Sequence, residues 1–198
     1  MDLLLALCTF VFTTAVSPGP NNILLMSSGV NFGFRRSLPL ISGICIGFPS
    51  MVLAVGLGLS EVFQRFPLMH TSIKTLGICY LLYMAYRLVM SRSEIETRNR
   101  PEPLGFFQAA AFQWVNPKAW VMAIGAMGAF TSLNDPLTPQ VLKISSVFFF
   151  IGVPTALLWL GLGLSLKRFL NAPHRQRRFN LLMASLLVLS IVPIILPE

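Results

Sequence analysis

Two short stretches of this 198-residue chain carry prolines and amides inside otherwise apolar runs. The first covers residues 17–22, with the sequence SPGPNN, and the second covers residues 116–118, with Gln113 one helical turn earlier. Proline removes a backbone donor and clashes with the preceding turn of a helix. In lipid, each backbone group freed in this way needs a partner inside the protein or in a polar cavity. Both stretches are therefore predicted to break membrane helices, and such breaks often line binding sites.

A broken helix exposes two kinds of unpaired backbone group. Unpaired N–H groups at the start of the second half-helix favour an anion, and unpaired carbonyls at the end of the first half-helix favour a cation. An amino acid carries a carboxylate and an ammonium close together, so paired half-helix ends suit a zwitterion. The residues predicted to form this binding site are Pro18, Gly19, Pro20, Asn21, Asn22, Gln113, Asn116, Pro117 and Lys118. The alternative for each break is a kink whose freed groups are satisfied by neighbouring helices.

Lys118 is the charged residue that lies clearly inside an apolar run. A charge within a membrane is expensive and is by default functional. The ammonium could hold a substrate carboxylate, or it could cap carbonyls that the break frees, because a lysine side chain is long and flexible. The sequence leaves both roles open. No Asp or Glu lies deep in an apolar run, so a carboxylate relay for protons is not indicated.

The composition places these stretches in a membrane protein. The chain is 55% hydrophobic and 11% charged, whereas soluble domains carry roughly 25% charged residues. Its net charge of +8 comes from basic residues at the ends of apolar runs, which excludes a nucleic-acid footprint and favours a role in membrane orientation. The three cysteines and two histidines lack the spacing of metal ligands, so no metal, cofactor or catalytic residue is predicted.

Six transmembrane helices are predicted from apolar runs of about 20 residues. The expected spans cover residues 3–28, 38–60, 68–90, 106–133, 141–165 and 179–196, and the first and fourth are broken by the two stretches described above. Residues 91–105 are the most polar part of the chain and are predicted to form a linker. The expected fold is a single all-α integral membrane domain over residues 1–198.

An internal repeat divides the chain into two halves. The sequence IGFPS at residues 46–50 recurs as IGVPT at residues 151–155, and GLGLS at residues 56–60 recurs unchanged at the same offset. This offset makes span two equivalent to span five and span three equivalent to span six, so span one corresponds to span four. Repeat one covers residues 1–90 and repeat two covers residues 106–198. Because each repeat has three spans, the second is predicted to be inverted, an arrangement typical of secondary transporters.

The distribution of basic residues predicts the orientation of the spans. Most of the Lys and Arg residues, including Arg35 and Arg87, follow spans one, three and five, whereas the opposite side carries only Arg65, Lys74 and Lys143. Cytoplasmic loops of membrane proteins are enriched in Lys and Arg. Both termini are therefore predicted to lie outside the cytoplasm. Inversion also lets the two broken helices approach from opposite faces and meet near the middle of the bilayer.

Two motifs in the chain resemble those of a known family. The SPGPNN stretch, followed by Gly33-Phe34-Arg35 and then by Gly43 and Gly47, is similar to the N-terminal signature of the LysE/RhtB family of amino-acid exporters. Residues 112–118, with the sequence FQWVNPK, resemble that family's second signature in span four. The resemblance covers the whole chain in length and span number. Within the family, it is strongest to the branch that exports cysteine and O-acetylserine.

The resemblance implies a multi-pass secondary transporter of a bacterial inner membrane that exports small amino acids or their derivatives. It also implies coupling to the proton motive force. The expected partners are an amino-acid substrate, protons and the lipid bilayer, without nucleic acid, and a homo-oligomer is compatible with the sequence. Relatives that export homoserine or threonine have an aspartate in span five where this chain has Trp159, which disfavours those substrates. A non-transporting membrane scaffold or subunit and an integral membrane enzyme are the alternatives, although no cluster of catalytic side chains is evident.

Overall fold

A computed structural model describes residues 2–59, 67–90, 102–132, 134–170 and 172–190. These residues form eight α-helices and no β-strand, so the predicted all-α fold is confirmed. In chain order, the helices are α1 (Asp2–Val16), α2 (Pro20–Phe32), α3 (Phe34–Ala54), α4 (Pro67–Met90), α5 (Phe106–Val115), α6 (Pro117–Phe130), α7 (Leu137–Lys167) and α8 (Pro173–Leu189). A π-helical turn, Val55–Leu59, continues α3. Most of the predicted linker, residues 91–101, and the end of span six, from residue 191, lie outside the described residues.

Two helical segments, Phe34–Gly58 and Leu137–Lys167, are each long and apolar enough to cross a membrane. The segments Leu3–Val16 and Pro20–Phe32 qualify together as one span that is bent by 54°. The apolar segment Ile78–Met90 is shorter. The described helices therefore supply two or three candidate spans by length and composition. The arrangement of six spans in two inverted repeats stays a prediction.

Several helices end at positions that differ from the ends of the apolar runs. Helix α2 continues to Phe32 rather than residue 28, and α8 begins at Pro173 rather than residue 179. Helix α7 extends past the predicted 141–165 at both ends, whereas α6 stops at Phe130, short of residue 133. Hydropathy marks only the part of a helix that suits hydrocarbon. Helical hydrogen bonding continues through polar residues at the interface, so hydropathy alone misplaces the ends.

Large apolar side chains cover the outer faces of the helices. Phe107 is 83% exposed, and Val121 and Phe150 are each 72% exposed. In a soluble protein, a helix would bury such large apolar residues against the core. Lipid tails are as apolar as these side chains, so the outer surface suits a bilayer.

Glycines set the closest contacts between helices. A Cβ atom at Gly43 would lie 2.6 Å from Ala109 Cβ, and one at Gly47 would lie 2.6 Å from the Cα atom of Ala110. On the other side of the molecule, a Cβ at Gly29 of α2 would lie 2.6 Å from the carbonyl oxygen of Leu160 in α7. Small residues let helix backbones approach in this way. Helix α5 is thus held against α3, and α2 against α7, close to the two breaks.

The buried apolar side chains form two clusters. One, which includes Leu25, Ile44 and Leu187, joins α2, α3, α5 and α7 to the packed pair α4 and α8. The other, which includes Met51 and Phe148, joins α1, α3, α6 and α7. Both helix breaks lie where the two clusters meet. At the breaks, Asn22 and Asn116 are buried, whereas Asn21 and Lys118 are partly exposed.

Candidate functional site

The first break separates α1 from α2 at residues 17–19. Helix α1 ends at Val16, and α2 begins at Pro20, which occupies the first helical position. Proline suits that position because its φ is already helical and its missing N–H would have no partner there. Gly19 precedes it with an extended backbone (φ −178°, ψ 175°). The structure thus interrupts the first helix where the SPGPNN stretch predicts a break.

The carbonyls at the end of α1 have side-chain partners. Asn22 Nδ2 donates to the carbonyls of Ala15 and Ser17 at 2.8 and 2.9 Å. Lys118 Nζ reaches across from α6 and donates to the Ser17 carbonyl at 2.6 Å, to Ser17 Oγ at 2.8 Å and to the Pro18 carbonyl at 3.3 Å. A cation at a helix C-terminus is also stabilised by the helix dipole. Of the two roles predicted for Lys118, capping is the one that these contacts display.

The second break falls at Asn116, between α5 and α6. Asn116 leaves the helical conformation (φ −86°, ψ 110°), and Pro117 occupies the first position of α6. Asn116 Oδ1 accepts a hydrogen bond from the backbone N–H of Lys118 at 3.1 Å, which is an ordinary N-cap. The indole N–H of Trp120 donates to the Trp114 carbonyl at 2.8 Å. This break is therefore capped on both of its sides.

The start of α2 differs from the start of α6. Its N-cap residue is Gly19, which has no side chain to accept a hydrogen bond. The first backbone bond into this turn is donated by Ile23 to the Gly19 carbonyl at 3.0 Å. Among the described residues, the backbone N–H groups of Asn21 and Asn22 have no acceptor. These two donors lie at the positive end of the helix dipole, an arrangement that favours an anion.

A reciprocal amide pair joins the two broken helices. Asn21 Nδ2 donates to Gln113 Oε1 at 2.8 Å, and Gln113 Nε2 donates back to Asn21 Oδ1 at 3.2 Å. Gln113 Nε2 also donates to the Ala109 carbonyl at 2.8 Å, and the Gln113 side chain is completely buried. The pair fixes α2 against α5 beside the first break. Residues separated by 92 positions in the sequence are brought together here.

A cavity of about 70 Å³, the central cavity, lies between the two breaks. Of the predicted site residues, it is lined by Gly19, Asn21, Asn22, Asn116 and Lys118. The other predicted residues are not part of its lining: Pro18, Pro20 and Pro117 shape the breaks, and Gln113 holds Asn21. The structure therefore brings most of the polar residues of both stretches to one cavity.

Several residues of the central cavity were not predicted as site residues. Thr14 of α1 and Thr155 of α7 line it, together with Phe48 and Phe148. Each threonine hydroxyl donates to a carbonyl one turn earlier, Thr14 to Phe10 at 2.7 Å and Thr155 to Ile151 at 2.8 Å. Thr155 lies in the repeated segment IGVPT, and this repeat is the sequence feature that could have identified it as a candidate. Thr14 carries no comparable signal, because a threonine in an apolar run is common.

The charges around the central cavity are limited to one cation. Among the described residues that line it, Lys118 is the charged one, and none is Asp or Glu. Over the described residues, no group of three His, Cys, Asp or Glu side chains could hold a metal ion. Trp159 packs against the apolar cluster that contains Leu187 and does not line this cavity. The cavity therefore suits a small solute with an anionic group and an uncharged side chain.

Comparisons with known proteins match one family over most of the chain. The family model described as LysE type translocator matches residues 12–192. The chain is 31% identical to a cysteine/O-acetylserine efflux protein of Salmonella choleraesuis over 94% of each sequence. It is 32% identical to a protein of the same name from Klebsiella pneumoniae, over 98% of this chain and 97% of that protein. A third protein of that name, from Escherichia coli K12, is 30% identical over 94% of each sequence. No solved structure matches significantly.

The fold and the matches together define a class of protein. An all-helical chain with apolar outer faces and a polar cavity between broken helices fits a multi-pass membrane transporter, and the matched family consists of translocators rather than enzymes. The chain belongs to the LysE type translocator family. The resemblance found in the two sequence motifs is thereby confirmed, and the interpretation as an enzyme is set aside.

Proposed function

We propose that the chain is a secondary transporter that exports small amino acids or their close derivatives from the cytoplasm. The observation that carries this proposal is the pair of backbone N–H groups, those of Asn21 and Asn22, that have no acceptor among the described residues. Both residues line the central cavity, and Lys118 also contributes to its lining. A helix N-terminus beside a cation is a ready site for an anion. The carboxylate is the anion common to all amino acids.

The proposed partners of the substrate ammonium are hydroxyl oxygens of two threonines. Thr14 and Thr155 line the same cavity, and each hydroxyl donates its proton to a helix carbonyl. A hydroxyl oxygen that donates in this way still has lone pairs to accept hydrogen bonds. These oxygens can hold a substrate ammonium. Donors at the start of α2 and acceptors on α1 and α7 would then bind the two charged groups of a zwitterion.

Size and charge favour a small, uncharged side chain on the substrate. The central cavity has a volume of about 70 Å³, far below the roughly 300–1,000 Å³ of pockets for drug-sized ligands. Its apolar wall includes Phe48 and Phe148, and no carboxylate lines it to balance a lysine-like side chain. The relatives are named for cysteine and O-acetylserine. We propose substrates of that class for this chain.

The helix contacts support a topology of two inverted repeats with six spans. Helix α3 packs on α7 and α4 packs on α8, so each of these helices contacts its predicted repeat equivalent. Helices α1 and α2 pack on α7, and α5 and α6 pack on α3. An exchange of the two repeats would produce this reciprocity. We propose that the protein resides in a bacterial inner membrane with both termini outside the cytoplasm.

Coupling to the proton motive force forms part of the proposal and is taken from the family resemblance. Among the described acidic residues whose exposure is defined, Glu102 and Asp135 are both exposed. A buried carboxylate that carries the proton is therefore not part of this proposal. A protonophore should abolish concentrative export if the coupling is correct.

Transport by purified protein in liposomes tests the proposed function. Vesicles are loaded with labelled cysteine, O-acetylserine, threonine or lysine, and efflux is followed with and without an imposed proton gradient. We expect export of cysteine or O-acetylserine that exceeds protein-free leakage and exceeds export of lysine. A lack of efflux for every amino acid in the panel would overturn the proposal and would favour the scaffold alternative.

A comparison of substrate analogues tests carboxylate recognition without altering the protein. Cysteine should compete with O-acetylserine for export. Cysteine methyl ester, in which the carboxylate is blocked, and cysteamine, in which it is missing, should compete at least about tenfold more weakly, since the loss of one charge-assisted interaction is worth about 1.4 kcal/mol or more. Equal competition by all three compounds would contradict binding of the carboxylate at the start of α2.

A further inference from the structure

The hydroxyl of Ser27 in α2 is buried without a hydrogen-bond partner. Ser27 is 2% exposed, and its Oγ atom has no partner within the part of the chain that the structure describes. Other helical serines of this protein behave differently: Ser42, Ser50 and Ser146 each donate to the carbonyl four residues earlier. A buried polar group without a partner is costly and calls for an explanation.

The environment of Ser27 supplies such an explanation. A second cavity of about 50 Å³, the linker-side cavity, lies next to the start of α5 and is lined by Leu24, Ser27, Ser28, Asn31, Arg87 and Glu102, among others. The described lining thus combines polar residues of α2 with one basic residue, Arg87 of α4, and one acidic residue, Glu102. Arg87 Nη2 donates to the Glu102 carbonyl at 2.7 Å, which ties the guanidinium to the edge of this cavity. A guanidinium has five donors in a fixed plane and pairs well with carboxylates.

The linker-side cavity and the central cavity share one face of α2. Asn21, Leu24, Ser28 and Asn31 are spaced by three, four and three residues, so their side chains lie on the same side of the helix. Asn21 lines the central cavity, whereas Leu24, Ser28 and Asn31 line the linker-side cavity. About 10 Å of helix separates Asn21 from Ser28. The buried Leu24 is the apolar residue between the two sets of polar groups on this face.

We propose that the linker-side cavity is a loading subsite, which binds the carboxylate of an amino-acid substrate on its way to the central cavity. The inference rests on the proposed function and names a second binding site for the same substrates. In it, the guanidinium of Arg87 pairs with the carboxylate, and the hydroxyl of Ser27 donates to one of its oxygens. The subsite lies on the side of the protein that the basic residues assign to the cytoplasm, where an exporter must take up its substrate.

Asn31, which lines this subsite, is hydrogen-bonded to amide side chains of α8. Asn31 Nδ2 donates to Asn180 Oδ1 at 3.1 Å, and Gln176 Nε2 donates to Asn31 Oδ1 at 2.9 Å. These contacts join the end of α2 to α8 beside the cavity.

Protection of an introduced thiol tests the subsite directly. Ser27→Cys is placed in a background in which Cys8, Cys45 and Cys79 are replaced by alanine, and the rate of labelling by a small thiol reagent is measured in inside-out vesicles. O-acetylserine serves as the ligand because it has no thiol to consume the reagent. At ten times its half-saturating concentration it should slow labelling about tenfold, by mass action. The matched control, Arg36→Cys, is exposed on the same side, and its labelling should not change.

A variant of the central cavity shows whether O-acetylserine protects Ser27→Cys by binding at the subsite or through an effect of its binding in the central cavity. In a Lys118→Met background, protection of Ser27→Cys by O-acetylserine should persist, because the subsite does not use Lys118. Loss of protection there would overturn the inference, and so would labelling of Ser27→Cys that O-acetylserine never slows. The latter result would mean that the hydroxyl meets water only.

Transport kinetics give a second readout. Arg87→Gln and Ser27→Ala should each raise the half-saturating substrate concentration at least threefold while the maximal rate stays within a factor of two. Unchanged half-saturation in both variants would contradict the subsite. If the unmodified protein transports no amino acid, the proposed function fails. If it transports and the two variants match it, only the loading subsite fails.

Discussion

The ammonium of Lys118 lies 2.6 Å from the carbonyl oxygen of Ser17, although the two residues are separated by 101 positions in the sequence. The contact joins the second broken helix to the last turn of α1. It places the Lys118 cation at the negative end of α1, while two backbone donors at the positive end of α2 have no acceptor within the described part of the chain. The two ends of the first break therefore differ: Lys118 and Asn22 cap the end of α1, whereas the start of α2 has donors without a partner among the described residues.

Replacement of Lys118 should affect both stability and transport. Lys118→Met keeps the length of the side chain but removes three hydrogen bonds and the charge beside the central cavity. We expect a loss of about 2 kcal/mol in the free energy of unfolding, the magnitude for hydrogen bonds to a charged group, and at least a tenfold lower transport rate. Thermal unfolding in detergent and efflux from liposomes measure the two effects. Lys143→Met, at an exposed position of α7, is the control and should change neither.

Gly19→Ala should disturb the contact between Lys118 and Ser17 without changing either residue. A Cβ atom at Gly19 would lie 2.7 Å from Lys118 Cδ and 3.0 Å from its Nζ, so the lysine must move away from Ser17. Since the backbone at Gly19 is extended, alanine adds no strain of its own. Transport should fall while expression stays normal. Gly128→Ala in α6 adds a methyl group that meets no atom within 4 Å and should leave transport unchanged. Normal transport by Gly19→Ala would argue against a role for the position of Lys118.

The Asn21–Gln113 pair should show coupling in a double-mutant cycle. Asn21→Ala and Gln113→Ala each remove both hydrogen bonds of the pair, so the effect of the double variant should be smaller than the sum of the single effects. Interhelical hydrogen bonds in membranes contribute about 0.6 kcal/mol on average, and we expect a coupling energy of that order. Unfolding in detergent measures it. Strictly additive effects would mean that the pair does not hold α2 on α5.

The close contact between α2 and α7 requires glycine at position 163. A Cβ atom at Gly163 would clash with the backbone carbonyl of Met26, which cannot move without shifting α2. We expect Gly163→Ala to destabilise the protein by about 1–3 kcal/mol through overpacking. Gly161→Ala, two residues earlier on the same helix, meets no atom within 4 Å and is the matched control. Equal melting temperatures for the two variants would contradict the close approach of these helices.

The orientation is open to a direct labelling experiment. Arg36 and Asp135 are both exposed, and the predicted topology places them on opposite sides of the membrane. In a background without the native cysteines, an impermeant thiol reagent added to intact cells should label Asp135→Cys. Arg36→Cys should react only after the cells are opened. The reverse pattern would show that the count of basic residues had given the wrong orientation.

The sequence alone was sufficient for the all-α fold, the positions of both breaks and the family. Proline and glycine act on the local backbone, so residues 17–22 and 116–118 indicate interrupted helices whatever packs around them. The ends of helices were less predictable, because α2 and α8 continue through polar residues that hydropathy does not count. The six-span inverted arrangement was read from the repeat and stays a prediction.

Only the tertiary structure decided which partner each polar group has. Whether Lys118 caps a helix or faces a cavity depends on which atoms lie within about 3 Å of its ammonium, and the nearest ones belong to a residue 101 positions away. The same holds for Thr155, which enters the central cavity because α7 packs beside both breaks, and for Ser27, whose unpartnered hydroxyl depends on the neighbours of α2. Local sequence determines where proline and glycine interrupt a helix, because that depends on backbone donors and sterics. The partners of the freed groups depend on long-range packing, which no single stretch of the chain contains.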